Sequence, residues 1–185
     1  MKKSHQNLLK AIAGESMARN KYTYFAEIAQ KEGWLWIAKV FEETADNERA
    51  HAQEELEKLK EKTEMTNTYD IAPLGTTLEN LRNAATGEKF EWGKMYPNFE
   101  KIARDEGEEE IAILFKEIAE VEKKHEERYN ILADRLEKGK LLESGKEIEW
   151  KCLNCGYIHK GKSAPKKCPL CKKPQGWYMG LSIVR

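Results

Sequence analysis

The chain carries the same helical pattern twice, and that repeat restricts its fold more than any other feature. Residues 22–51 laid over residues 96–125 at a fixed offset of 74 match at 13 of 30 positions, the mark of one supersecondary unit used twice. Tyr22 falls on Tyr96, Phe25 on Phe99, Gly33 on Gly107, Phe41 on Phe115, Glu48 on Glu122 and His51 on His125. Between residues 4 and 138 apolar side chains recur at three- and four-residue spacing, as in Ile28, Ala29, Leu35, Ala38, Phe41 and Ala45, so each copy reads as a helical hairpin. Gly33 and Gly107 mark helix ends, because glycine takes the left-handed conformation there without a Cβ clash. Residues 63–75 lack a period and include Pro73; they are too long for a tight hairpin and read as a crossover. Thr76 with Glu79 has the spacing of a capping box that opens the third helix. The expected architecture is a four-helix bundle with approximate two-fold symmetry, in which a site on the axis receives matching ligands from both hairpins.

Those ligands are present. Glu48 with His51, and Glu122 with His125, are two E-x-x-H motifs, a spacing that puts carboxylate and imidazole on one helix face. Together they use two of the four histidines in the protein. Glu15 and Glu88 precede Glu48 and Glu122 by 33 and 34 residues and supply a carboxylate from each first helix. Carboxylates in this excess over imidazoles suit iron or manganese better than zinc or copper, and the set predicts a di-iron carboxylate site. Glu91 makes E-x-x-E with Glu88 and has Ala18 as its counterpart, so the symmetry breaks at one ligand. A hard carboxylate favours ferric iron and an imidazole the ferrous state, which predicts exchange of Glu91 for His51 on reduction. From Glu15 to Tyr22 is seven positions but from Glu88 to Tyr96 is eight, so one extra residue is expected as a π-bulge between about Glu88 and Pro97. Tyr22 and Tyr96 lie where their phenols can either reach the site or pack in the core; His5 and His159 stand outside the repeat and read as surface residues.

All four cysteines crowd into residues 152–171 as two C-x-x-C knuckles, Cys152 with Cys155 and Cys168 with Cys171, separated by twelve residues. This spacing predicts a tetrahedral four-sulfur site for iron or zinc. Trp150, Tyr157 and Trp177 are the expected core around it. The segment KGKLLESGKE, residues 138–147, reads as a linker of at most about 33 Å. The expected division is residues 1–137, linker 138–147, and residues 148–185.

Composition matters for what it excludes. With 32 basic and 32 acidic side chains the net charge is zero, which argues against a nucleic-acid binder working through bulk charge. The balance hides a polarity: residues 146–185 hold nine basic and two acidic side chains, +7, so the preceding residues carry −7. Attraction between an acidic bundle and a basic tail is expected from this. The longest apolar runs, residues 34–38 and 111–115, are far too short to span a bilayer, and no targeting segment is recognisable at the start, so a cytoplasmic protein is expected.

A ferritin-like E, E-x-x-H, E-x-x-E, E-x-x-H bundle joined to a C-x-x-C-G-Y to C-P-x-C tail, with the strings ESMARNKYTYF and KMYPNFEKIA, resembles the rubrerythrin family over essentially the whole chain. The resemblance implies an all-α four-helix bundle followed by a small rubredoxin-like β domain. It also implies a non-haem iron peroxidase that reduces hydrogen peroxide to water in oxidative stress defence, acting as a homodimer. The electrons would come from a donor such as rubredoxin and its NAD(P)H-dependent reductase. By the same resemblance Glu15 and Glu88 would be terminal ligands, Glu48 and Glu122 would bridge, and His125 would bind the second iron. His51 and Glu91 would alternate on the first, and Cys152, Cys155, Cys168 and Cys171 would hold a single iron. Two other readings fit the residues: a ferroxidase or iron-storage protein with a structural zinc ribbon, and an oxygen-activating or purely structural metalloprotein whose tail binds zinc.

Overall fold

A computed structural model describes residues 2–183. Helix α1 spans Lys3–Lys31 and α2 spans Leu35–Glu57. After an extended connection the chain re-enters helix at α3, Thr77–Phe90, passes through a π-helical segment, Glu91–Met95, and continues as α4, Tyr96–Asp105. Helix α5, Glu109–Glu137, completes the bundle. Helix α1 packs along α2, and the continuous α3–α4 rod packs along α5. The extra residue of the second copy is absorbed where the count between Glu88 and Tyr96 required it.

The turns follow from their sequence. Gly33 (φ 85°) and Gly107 (φ 73°) are left-handed, and each ends its helix in the same double bond: Gly33 N–H to Gln30 O with Trp34 N–H to Ala29 O, and Gly107 N–H to Arg104 O with Glu108 N–H to Ala103 O. These bonds satisfy carbonyls that the helix leaves open. Thr76 and Glu79 form the reciprocal capping box at the start of α3. The buried Asn80 then ties down the end of the crossover, exchanging both amide bonds with Gly75 at 3.0 and 2.9 Å.

The interior of the bundle has two aromatic layers. Tyr22, Phe25, Phe41 and Tyr129 pack in one, with ring centroids 5.2–6.1 Å apart. Tyr96, Phe99 and Phe115 form the other at 5.5–6.3 Å. The first three rings of one layer are the repeat partners of the three in the other.

Beyond α5 the chain makes a three-stranded antiparallel sheet in the order β2-β1-β3, with β1 Glu143–Cys152, β2 Ile158–Ser163 and β3 Tyr178–Gly180. Strand β1 therefore begins inside the segment expected as linker, and Leu141 and Leu142 before it are buried. Trp150 and Tyr178 are the buried rings of this unit; Trp177 is half-buried, whereas Tyr157 is exposed and is no part of a core. The tail sits on the helical end of its own chain: Ile148, Trp150 and Tyr178 share one apolar core with Leu35, Trp36 and Ile37. At the closest approach, a Cβ on Gly176 would lie 2.0 Å from Gly33 O. This contact is largely apolar and backbone-close, Arg135 of α5 also donates to the carbonyl of Glu143 at the start of β1, and among the described residues no ion pair joins the two parts. The charge polarity of the chain is real, but apolar burial makes the contact.

Candidate metal centre

Between the two aromatic layers the four long helices bring their carboxylates and imidazoles together. Glu15, Glu48, His51 and Glu122 form one group, and Glu48, Glu88, Glu122 and His125 a second; within each group the ligand atoms lie within 4.8 Å of one another. Glu48 and Glu122 belong to both. His51 Nδ1 lies 2.9 Å from Glu48 Oε2, 2.9 Å from Glu122 Oε1 and 3.8 Å from Glu15 Oε2. His125 Nδ1 lies 2.7 Å from Glu122 Oε2, 3.4 Å from Glu48 Oε1 and 3.9 Å from Glu88 Oε2. The two imidazoles are thus related as the repeat relates them, with rings 6.2 Å apart. Glu91, at the first position of the π segment, is half-buried and outside both groups.

The phenols cross between hairpins. Tyr22 of α1 donates to Glu88 of α3, and Tyr96 of α4 donates to Glu15 of α1. Both tyrosines are fully buried, so packing and hydrogen bonding coexist in each. Tyr96 also lies 3.0 Å from Glu55, a fully buried carboxyl of α2 that sequence reasoning passed over. Its signal was there: Glu48, His51 and Glu55 are spaced i, i+3, i+7 on one helix face.

Burial drives the electrostatics. It pushes Glu15 and Glu91 well above the usual carboxylate range and Glu88 up to about 8, with neighbouring carboxylates adding to the effect. Burial alone would raise Glu122 too, but hydrogen bonds from His125 and His51 hold it down to about 2. Burial opposes charge on His125, yet the neighbouring carboxyls of Glu122, Glu48 and Glu88 prevail and push it up to about 12; His51 is raised by the same means. So many buried carboxylates need compensating positive charge.

A pair of metal ions fits this need. Glu15 Oε2 and Glu88 Oε2 are buried, turned toward the cluster, and make no hydrogen bond among the described residues. Four carboxylates with two imidazoles form a donor set for iron or manganese.

The second site is smaller. Cys152 Sγ lies 3.7 Å from Cys171 Sγ, and Cys155 Sγ lies 3.6 Å from Cys168 Sγ. Sulfurs at roughly 2.3 Å from a tetrahedral ion stand about 3.8 Å apart, so the four thiols are spaced for one metal. Each knuckle turns on a left-handed residue, Gly156 (φ 76°) in the first and Lys172 (φ 63°) in the second. Backbone N–H groups of Cys171 and Leu170 and the Tyr178 hydroxyl overcome the effect of burial and hold Cys168 down to about 6, favouring the thiolate that a metal takes.

Comparison with known proteins agrees with this arrangement. Residues 6–133 match the family model described as rubrerythrin, and residues 150–178 match that of the rubrerythrin rubredoxin-like domain. Rubrerythrin-1 of Clostridium acetobutylicum is 46% identical, with 97% of this chain and 95% of that protein covered. Rubrerythrin of Porphyromonas gingivalis is also 46% identical, covering 95% and 88%. Among solved structures, the fully reduced, all-ferrous state of nigerythrin superposes with a TM-score of 0.67 at 32% identity, covering 96% of this chain and 86% of that one.

Proposed function

Because the chain belongs to the rubrerythrin family, we propose that it is a non-haem di-iron peroxidase, reducing hydrogen peroxide to water with electrons relayed through an iron in its four-cysteine site. The observation that carries this reading is the pair of ligand groups sharing Glu48 and Glu122, in the same chain as a four-sulfur site. When bound, two ferrous ions supply two electrons to one O–O bond, so no radical need escape. Glu15 and Glu88 would be the terminal ligands, Glu48 and Glu122 would serve both metal positions, and His125 would belong to the second metal. His51 and Glu91 would alternate on the first: His51 stands among the first group of carboxylates, and Glu91 opens the π segment. Tyr22 and Tyr96 hold Glu88 and Glu15 in orientation. Rubredoxin with its NAD(P)H-dependent reductase is the class of donor this scheme needs, and a cytoplasmic homodimer the assembly.

Metal counting with an optical spectrum tests it. About three irons per chain and a ferric four-sulfur chromophore are expected, together with peroxide-dependent oxidation of reduced rubredoxin that Cys168→Ser abolishes. One zinc with two irons, and no loss in Cys168→Ser, would overturn the relay and leave a ferroxidase with a structural zinc ribbon.

A further inference from the structure

Glu55 occupies the place in the first hairpin that Tyr129 occupies in the second, 74 residues later. In one aromatic layer Tyr129 is the fourth ring, 5.6 Å from Tyr22 and 5.2 Å from Phe41. In the other layer Tyr96, Phe99 and Phe115 repeat the first three rings, and the fully buried carboxyl of Glu55 lies against the hydroxyl of Tyr96 instead of a fourth ring. Glu55 is outside both ligand groups and four residues from His51. Its Oε2 is buried and makes no hydrogen bond among the described residues.

The contacts of Tyr96 define what Glu55 does. Its hydroxyl meets Glu15 on one side and Glu55 Oε1, at 3.0 Å, on the other. A phenol has one proton to donate and lone pairs to accept with, whereas an ionised carboxylate can only accept. Two hydrogen bonds at this phenol therefore require one of the two carboxyls to bring its own proton. Glu15 sits within the first ligand group and, with a metal ion bound there, would be held as the carboxylate and take the role of acceptor. Glu55 is left as the donor.

We propose that Glu55 is a proton-holding relay residue: its carboxylic acid donates to Tyr96, Tyr96 donates to Glu15, and this chain delivers a proton to one side of the metal centre during peroxide reduction. The relay rests on the peroxidase reading, in which hydrogen peroxide, two electrons and two protons give two waters. One proton comes through the relay and one from solvent. The O–H bond of Glu55 breaks as a new O–H bond forms on Tyr96, the former hydroxyl proton of Tyr96 passes toward Glu15, and Glu55 is left ionised until it is recharged. Burial keeps Glu55 neutral to about pH 8, with Glu122 and Glu48 favouring the neutral form and Tyr96 and His51 opposing it; Glu15 faces it from α1. No counterpart serves the other side, where Tyr22 bonds Glu88 and the equivalent residue is Tyr129.

Glu55→Gln keeps an N–H donor for Tyr96 but has no proton to give; Glu55→Leu removes both. The infrared difference spectrum between iron-loaded wild type and iron-loaded Glu55→Gln should contain the carbonyl stretch of a protonated carboxylic acid, present in the wild type and missing from Glu55→Gln. With the iron count unchanged, peroxide should oxidise the ferrous centre of Glu55→Gln roughly tenfold or more slowly, and the solvent isotope effect should change. Absence of that band from the difference spectrum, or oxidation at the wild-type rate with the same isotope effect, overturns the relay. If Glu55→Leu does not fold, the near-isosteric Glu55→Gln decides the matter alone. A wild-type centre inert to peroxide would remove the peroxidase reading, while the infrared band would still decide whether Glu55 is the donor.

Discussion

Tyr22 in the first hairpin donates a hydrogen bond from its hydroxyl to Glu88 in the second. Tyr96 answers with the same bond to Glu15. The hairpins are thus fastened to each other through Glu88 Oε1 and Glu15 Oε1, while the Oε2 atoms of the same carboxyls are turned toward the cluster, so each of these two carboxyls serves both the packing and the candidate site.

Tyr22→Phe should therefore act on one metal position. Outer hydrogen bonds to metal ligands are worth roughly 10- to 100-fold in affinity. A chelator-competition titration should show a loss of that size for the ion held by Glu88 and His125, with the Glu15 and His51 position much less affected. Equal loss at both would mean the phenol acts through the fold rather than through its ligand.

Metal uptake should release protons. His125 is raised to about 12 and His51 is raised as well, so both imidazoles are cationic at neutral pH in the metal-free protein and must shed a proton to bind. Buried Glu88, raised to about 8, adds to the release. Apparent affinity for ferrous iron should rise with pH between about 6 and 8, and calorimetry in buffers of differing ionisation enthalpy should count more than one proton per site pair. Uptake without proton release would contradict these charge states.

Gly176→Ala should loosen the tail from the bundle. The new methyl would meet the backbone of Gly33, with its oxygen at 2.0 Å and its carbonyl carbon at 3.2 Å, neither of which can turn aside as a side chain can. Overpacking of this kind costs roughly 1–3 kcal/mol. Faster amide exchange at the α1–α2 turn and a shift in tryptophan emission are expected with metal content unchanged. Gly145→Ala, where a Cβ meets nothing within 4 Å, is the matched control.

Acid should release the start of α1. Glu106 accepts from Lys3 N–H (2.9 Å), Ser4 N–H (2.8 Å) and Ser4 Oγ (2.6 Å), capping a helix that has no capping side chain of its own. The Ser4 hydroxyl and backbone hold Glu106 down to about 2, below the usual carboxylate value of about 4.3. A depressed carboxyl stabilises the fold above its unfolded pKa and loses that contribution as pH falls through its folded one. Amide exchange of Lys3 and Ser4 should speed up between about pH 4 and 2, and Glu106→Ala should show the fast rate already at neutral pH.

Much of this molecule is local, and local features are legible. A helix presents residues three and four apart on one face, so two E-x-x-H motifs announced where ligands would point, and one surplus residue between Glu88 and Tyr96 announced the π segment at Glu91–Met95. Two C-x-x-C knuckles declared a four-sulfur site because each closes within a few residues. What no spacing could reveal was which residues meet across elements. Periodicity names the buried face of a helix and says nothing of the partner it finds there. The crossed bonds of Tyr22 and Tyr96 depend on how one hairpin slides against the other, a register that no single helix carries. Glu55 looked like one more glutamate in a Glu-rich helix until the fold set it against Tyr96. The tail's charge predicted attraction to the bundle, but no charge count could reveal the contacts that seat it, Gly176 against Gly33 and shared apolar burial, because close packing depends on the shape of surfaces that only the fold brings together.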